Sequence, residues 1–292
     1  MTSSIGAMIQ DALGMESEIE KHIAIKHGFM TRALIMATMP HSRVDGNVFS
    51  RSNGNYKLHM SCGEAGDLPY GKRPRLIMAY LCSEVVKKKT REVWLGENCS
   101  TFMRDLGLHI NGGKRGSVPS LKDQLRRLFR ASIFFEYKTK KTISNTGIAT
   151  YNKLDLHINL ISKTVEFWEK TSASQIQGWR TQITLSENFY EELMRSPVPI
   201  DLNAIHQLRE SSLAMDIYVW LTWRIFNLDK PMKFTWQSLM AQFGSDYKFL
   251  ANFKVKFTEQ LKKVLQIYPV KISSVADGLL LFPGATHIPR TP

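Results

Sequence analysis

Ser117-Val-Pro-Ser-Leu-Lys-Asp-Gln-Leu-Arg-Arg-Leu-Phe-Arg130 is the stretch from which the rest of the chain can be read. At 100° per residue Leu121, Leu125, Leu128 and Phe129 fall on one face of a helix, and Lys122, Asp123, Arg126, Arg127 and Arg130 fall on the other. One side is suited to burial and the other offers cations. Ser120, followed three residues later by Asp123, matches a capping box and predicts a helix N-terminus near Ser117 to Ser120, beside Lys114 and Arg115. Polar residues at such an N-terminus can reach base edges while flanking cations hold phosphates.

The neighbours of this helix give it a context. Upstream, a helix opens at Pro74 and runs to Lys87-Lys88-Lys89; a short strand, Glu92 to Leu95, and a second helix, Ser100 to Leu106, follow. Downstream come a strand, Ile133 to Tyr137, a basic turn carrying Lys138, Lys140 and Lys141, and strand-like runs at Ile148 to Ile161 and Val165 to Glu169. Helix, strand, helix, helix, strand, basic turn, strand is the order of a winged helix, with the basic turn as its wing.

The same order returns in the last third: a strand at Thr181 to Leu185, a helix capped by Ser186, a longer helix from Ser211 to Asn227, a strand at Met232 to Phe234 and a short helix from Trp236 to Phe243. A helix from Tyr247 to Ile267 and two strands around Asp277-Gly278 close it. In its third helix Phe249, Leu250, Phe253, Phe257, Leu261 and Val264 form an apolar stripe read as core, while Lys248, Asn252, Lys256, Glu259 and Lys263 lie together opposite. Asn can pair with adenine, and Lys can meet guanine or phosphate.

The fold class expected is α+β: tandem winged-helix domains over residues 67–172 and 179–283, joined by a linker at Ala173 to Gly178. Before them stands an N-terminal extension, residues 1–66. It is loosely ordered over residues 1–28 and carries a small antiparallel β element from the runs Ala33 to Met39 and Tyr56 to Cys62. The Pro-containing tail, residues 284–292, is expected to be disordered.

Charge agrees with this organisation. The formal net charge is +13 over 292 residues, and residues 72–180 alone hold 21 Lys and Arg against 9 Asp and Glu, with near balance on either side. A localised cationic excess is what a phosphate-tracking surface needs, because each cation that neutralises a phosphate releases condensed counterions. Other chemistries find little support. The three cysteines, an odd number with no C-x-x-C spacing, suggest neither a disulfide framework nor a zinc site. Gly112-Gly113-Lys114-Arg115-Gly116-Ser117 lacks phosphate-loop spacing, so no nucleotide cofactor is expected. A metal-dependent nickase would want two histidines flanking one residue, and Leu156-His157-Ile158-Asn159 has one; His22 and His27 share no helical face. No secretory leader and no apolar run of membrane-spanning length is present, so a cytoplasmic protein without cofactor or catalytic site is expected.

Several stretches resemble the plasmid-encoded RepA family of replication proteins. They are Leu34-Ile-Met-Ala-Thr-Met-Pro-His41, Arg51-Ser-Asn-Gly-Asn-Tyr-Lys-Leu58 and, above all, Leu68-Pro-Tyr-Gly-Lys-Arg-Pro-Arg-Leu-Ile-Met-Ala-Tyr-Leu81. Leu95-Gly96, Phe102-Met-Arg-Asp-Leu-Gly-Leu108, Gly112-Gly113 and Leu121-Lys-Asp-Gln-Leu-Arg-Arg-Leu-Phe129 continue the match. The resemblance implies two winged helices, binding to repeated sites in duplex DNA at a plasmid origin, local opening, and recruitment of a host initiator and replicative helicase, with a possible homodimer. The alternatives are a winged-helix transcriptional repressor, which an origin would not need in trans, and an origin-nicking relaxase, which would relax supercoiled origin DNA when given a metal ion.

Overall fold

The computed structural model describes residues 26–111, 113, 116–138, 142–143, 149–150, 153–167, 180–244 and 247–289. The first part of the chain contains β1 (His27–Thr31), α1 (Arg32–Met36), β2 (Val48–Asn53), β3 (Tyr56–Ser61), α2 (Lys72–Lys88), β4 (Glu92–Trp94), α3 (Cys99–Asp105) and α4 (Ser117–Arg130). Then follow β5 (Ser132–Lys138), β6 (Thr142–Ile143), β7 (Ala149–Thr150), β8 (Lys153–Asn159), β9 (Ile161–Phe167) and β10 (Arg180–Leu185). The remainder is α5 (Glu187–Arg195), β11 (Pro197–Asp201), α6 (Leu202–Gln207), α7 (Ser212–Phe226), β12 (Met232–Thr235), α8 (Trp236–Phe243), α9 (Leu250–Leu265), β13 (Ile272–Val275) and β14 (Gly278–Leu281).

Two three-stranded antiparallel sheets define the architecture: β4-β10-β9 and β12-β14-β13. In each, the strand between the first two helices pairs with the last strand, which pairs with the one before it. The helices α2, α3 and α4 belong to the first sheet, and α7, α8 and α9 to the second. This is the winged helix twice over, and the expected fold class holds.

The details of the first unit differ from expectation. Its sheet is closed by Arg180–Leu185, a strand that the sequence reading assigns to the second unit. The connection between its paired strands is residues 168–179, which lie outside the described residues and include the segment read as an interdomain linker. The basic turn read as the wing instead leaves β5, whose partners are β3 and β8 in a separate four-stranded sheet, β2-β3-β5-β8. Period-2 alternation marks both pairs of strands alike, and only hydrogen-bond pairing distinguishes the wing from an inserted hairpin. The expected β element is thus not a separate extension: Tyr56 stands opposite Tyr137, and their rings stack with centroids 4.4 Å apart. The run read as a strand at Ala33 to Met39 begins instead as the short helix α1, whose Leu34, Ile35 and Met36 are buried.

The central helices explain why the two units share one core. α2 buries Leu76, Ile77, Met78, Ala79, Leu81, Cys82 and Val85, and α7 buries Leu213, Ala214, Met215, Ile217, Val219, Trp220 and Leu221, more than one stripe can supply. Ser211 caps α7 by accepting the Ala214 N–H at 3.1 Å. The buried cluster runs continuously from Met30 to Leu281.

A charged group is buried between these helices. Arg75 of α2 is 3% exposed and donates from Nε and NH2 to the two carboxylate oxygens of Asp216 of α7, each at 2.7 Å. Its remaining hydrogen bonds reach the carbonyls of Met39, Pro40 and Gly71. His41 completes the set through Nε2, 2.8 Å from Asp216. Burial pushes the Asp216 carboxyl up, but Arg75 and the His41 hydrogen bond outweigh it and hold the group below the usual range. The buried ion pair and its carbonyl partners link both units and the segment before α2.

Two further departures lie near the C-terminus. Asp277-Gly278 is not the hairpin's turn dipeptide: Val275 pairs with Gly278, leaving Ala276 and Asp277 as the loop. Glycine is required at 278 because a Cβ there would stand 2.0 Å from the Phe234 carbonyl oxygen on the neighbouring strand. The tail expected to be disordered packs as far as Ile288. His287 stacks on Tyr268 at 4.7 Å and hydrogen-bonds the Tyr218 hydroxyl at 2.8 Å, while Ile288 is buried. Aromatic partners from α7 and from the residues after α9 supply what the tail's own composition does not.

Candidate nucleic-acid interface

In a winged helix the third helix lies across the other two and keeps its outer face for a partner. Here those helices are α4 and α9. α4 buries Leu121, Gln124, Leu125 and Leu128 and turns Lys122, Arg126 and Arg130 outward, as its periodicity demands. The expected capping box does not form. The helix already begins at Ser117 with Gly116 at its N-cap, so Ser120 lies inside it and Asp123 serves the arginines instead. Pro119 fits the first turn because N–H groups there have no intrahelical acceptor. Ser117 Oγ accepts the Asn111 N–H at 2.8 Å and donates to the His109 carbonyl at 2.7 Å, which ties His109 and Asn111 to the first turn of the helix.

The candidate cations of α4 are not equivalent. Arg126 makes a two-pronged pair with Asp67, both contacts at 2.5 Å, and Arg127 pairs with Asp123 at 2.7 Å while donating to the Gly66 carbonyl. Arg127 also lies 5.7 Å over the Tyr70 ring, and the Tyr70 N–H donates to Gln124 Oε1 at 3.0 Å. The loop before α2 is therefore fastened along one side of α4. Hydrogen bonding from Arg126 holds the Asp67 carboxyl below the usual carboxylate range. Arg130 is exposed, and Lys122 is half-buried. Lys114, Arg115, Lys140 and Lys141 lie outside the described residues, and of Lys138 only the backbone, in β5, is described.

On α9 the helical spacing is kept, with Phe253, Phe257, Leu261 and Val264 buried. Asn252, Lys256, Glu259 and Lys263 are exposed on one stripe, and Lys248, expected there too, is exposed but lies before the helix, which begins only at Leu250. Glu259 bridges Lys256 at 2.7 Å and Lys263 at 3.4 Å, so two candidate cations share one acid. Phe249, read as core, is 67% exposed at the N-cap, where the backbone has left helical geometry and the periodicity no longer sets its direction. Val255, 69% exposed, was missed; its position three residues after Asn252 was the available signal. The Asp67 loop was also missed, because its contact to α4 spans 59 residues.

Among the described residues no group of three or more His, Cys, Asp or Glu could hold a metal ion, and no helix is long and apolar enough to cross a membrane.

A fold of paired winged helices with a cationic third helix defines a class of protein built around two helix-presenting units. The family model for the plasmid encoded RepA protein matches residues 68–238, more than half of the chain. The chain belongs to this family of plasmid replication proteins. Two solved structures of domains 2 and 3 of RctB share the fold, at 10% and 12% identity and a TM-score of 0.53 each. They cover 86% of this chain, which in turn covers 96% and 97% of theirs. No curated protein matches the chain.

Proposed function

We propose that the protein is a plasmid replication initiator that binds repeated sites in duplex DNA at its origin, with α4 and α9 as its two recognition helices. The observation that carries this reading is the repeated sheet order, which leaves the third helix of each unit with a polar outer face on a core shared by both. Arg130 and Lys122 of α4, Lys256 and Lys263 of α9, and Lys248 just before it, are the cations for phosphates; Asn252 is positioned for a base edge. The two helices enter successive major grooves on one side of the duplex, about 10 bp apart, as tandem half-sites require. Origin opening, recruitment of the host initiator and helicase, and a homodimeric form extend the reading through family membership, and no catalytic step of its own is assigned.

The test is a salt-dependent titration of the purified protein on DNA from its plasmid's origin and on scrambled duplex of equal length. Tighter binding to the origin at every salt concentration is expected, together with protection of two successive grooves. Equal affinity for both duplexes would overturn the reading.

A further inference from the structure

Of the large apolar side chains left exposed among the described residues, Phe249 and Val255 are the two most exposed, at 67% and 69%. Val255 lies on the outer face of α9 and Phe249 is its N-cap residue; Asn252 stands three residues from each, with Lys256 alongside it and Lys248 just before the helix. A solvated helix face would carry polar residues at these positions. Two apolar groups flanking an amide on a cationic face form a different surface, one that complements a nucleic-acid groove containing methyl groups.

Thymine is the base that places a methyl group in the major groove, where Val, Ala, Thr and Phe side chains can cover it; Asn pairs with N6 and N7 of adenine. Three residues at 1.5 Å each set Val255 about 4.5 Å along α9 from Asn252, between one and two base-pair steps. Lys256 and Lys263 outnumber Glu259 on the outer stripe and Lys248 is exposed just before the helix, so the charge here suits phosphates on either side. We propose that α9 selects A·T-containing sites, with Phe249 and Val255 packing against thymine methyl groups and Asn252 pairing with an intervening adenine. This rests on the DNA-binding reading above and adds the base chemistry that the second unit recognises.

The experiment compares two origin duplexes made by amplification, one with thymine and one with uracil replacing it throughout, which removes every thymine methyl group wherever the bound site lies. Each methyl lost from a buried contact is expected to weaken binding about fourfold, and two about fifteenfold. The double variant F249A/V255A should bind the thymine duplex more weakly and distinguish the two duplexes by less than about twofold. Asn252→Ala should weaken both complexes alike. Both truncated side chains are exposed, so thermal unfolding of the variant should match the parent.

Origin-selective binding that ignores the uracil replacement would overturn this inference and leave the DNA reading standing. So would a double variant that binds both duplexes as the parent does, an outcome that would assign the apolar pair to a protein partner. Loss of all preference for origin over scrambled DNA would overturn both.

Discussion

Arg126 and Arg130 look interchangeable in the sequence, one helical turn apart on the same cationic face, yet Asp67 makes them different. Arg130→Ala should lower the slope of log affinity against log salt by about 0.9, the value for one phosphate contact on B-DNA. Arg126→Ala should change the slope less and instead destabilise the protein by about 1 kcal/mol, a figure kept small because Arg126 is 39% exposed. Paired titrations at several salt concentrations, with denaturant melts, separate the two; equal slopes for both variants would mean that Asp67 yields Arg126 to DNA. Removing the acid is the converse experiment. Asp67→Asn should steepen the slope by up to about one unit as Arg126 loses its partner, while Arg127 stays paired with Asp123. The sequence marks all three arginines as outward-facing. It could not show which is already paired, since Asp67 is remote in the chain.

At the scale of elements, burial periodicity located both third helices, because an apolar stripe must find a core wherever the helix is placed. The ends were less legible. Phe249 follows the stripe in number but not in space, and Ser120 satisfies a capping pattern inside a helix whose true N-cap is Gly116. The wing was misplaced for a related reason: strands declare an alternating face but not a partner. Gly278 gives a test of the second sheet. Gly278→Ala should force β14 away from the Phe234 carbonyl and destabilise the protein by about 2 kcal/mol or more, read as a lower denaturation midpoint. An unchanged midpoint would mean that the hairpin relaxes without cost. The fold of α4 should survive this change better than that of α9, measurable by amide exchange.

For the molecule as a whole, the Arg75–Asp216–His41 group makes the two winged helices one mechanical body. Asp216→Ala leaves a buried guanidinium without its carboxylate and should cost about 3–5 kcal/mol. Unfolding, read by Trp220 of the second unit and amide exchange in α2 of the first, should lose its coincidence; coincident transitions would show that apolar packing alone couples the units. Acid should act on the same interior. Burial lowers the pKa of His41, of His206, where Lys26 and Arg209 add to the effect, and of His287. The unfolded chain therefore takes up these protons first, and stability falls as pH drops below the ordinary histidine value of 6.5. Denaturant midpoints at pH 7.5 and 5.5 should differ in that direction, and His287→Gln should reduce the difference.

The chain read alone was enough for the kind and order of most elements, the cationic excess over residues 72–180, and the polar faces of α4 and α9. Each follows from local periodicity or from counting. It took the folded arrangement to establish that Arg180–Leu185 closes the first sheet, that β5 and β8 belong with β2 and β3, and that Asp67 occupies Arg126. The tail's packing around His287 was established there too. These depend on pairings between residues far apart in the chain, whose hydrogen bonds and charges have no period for a sequence to display.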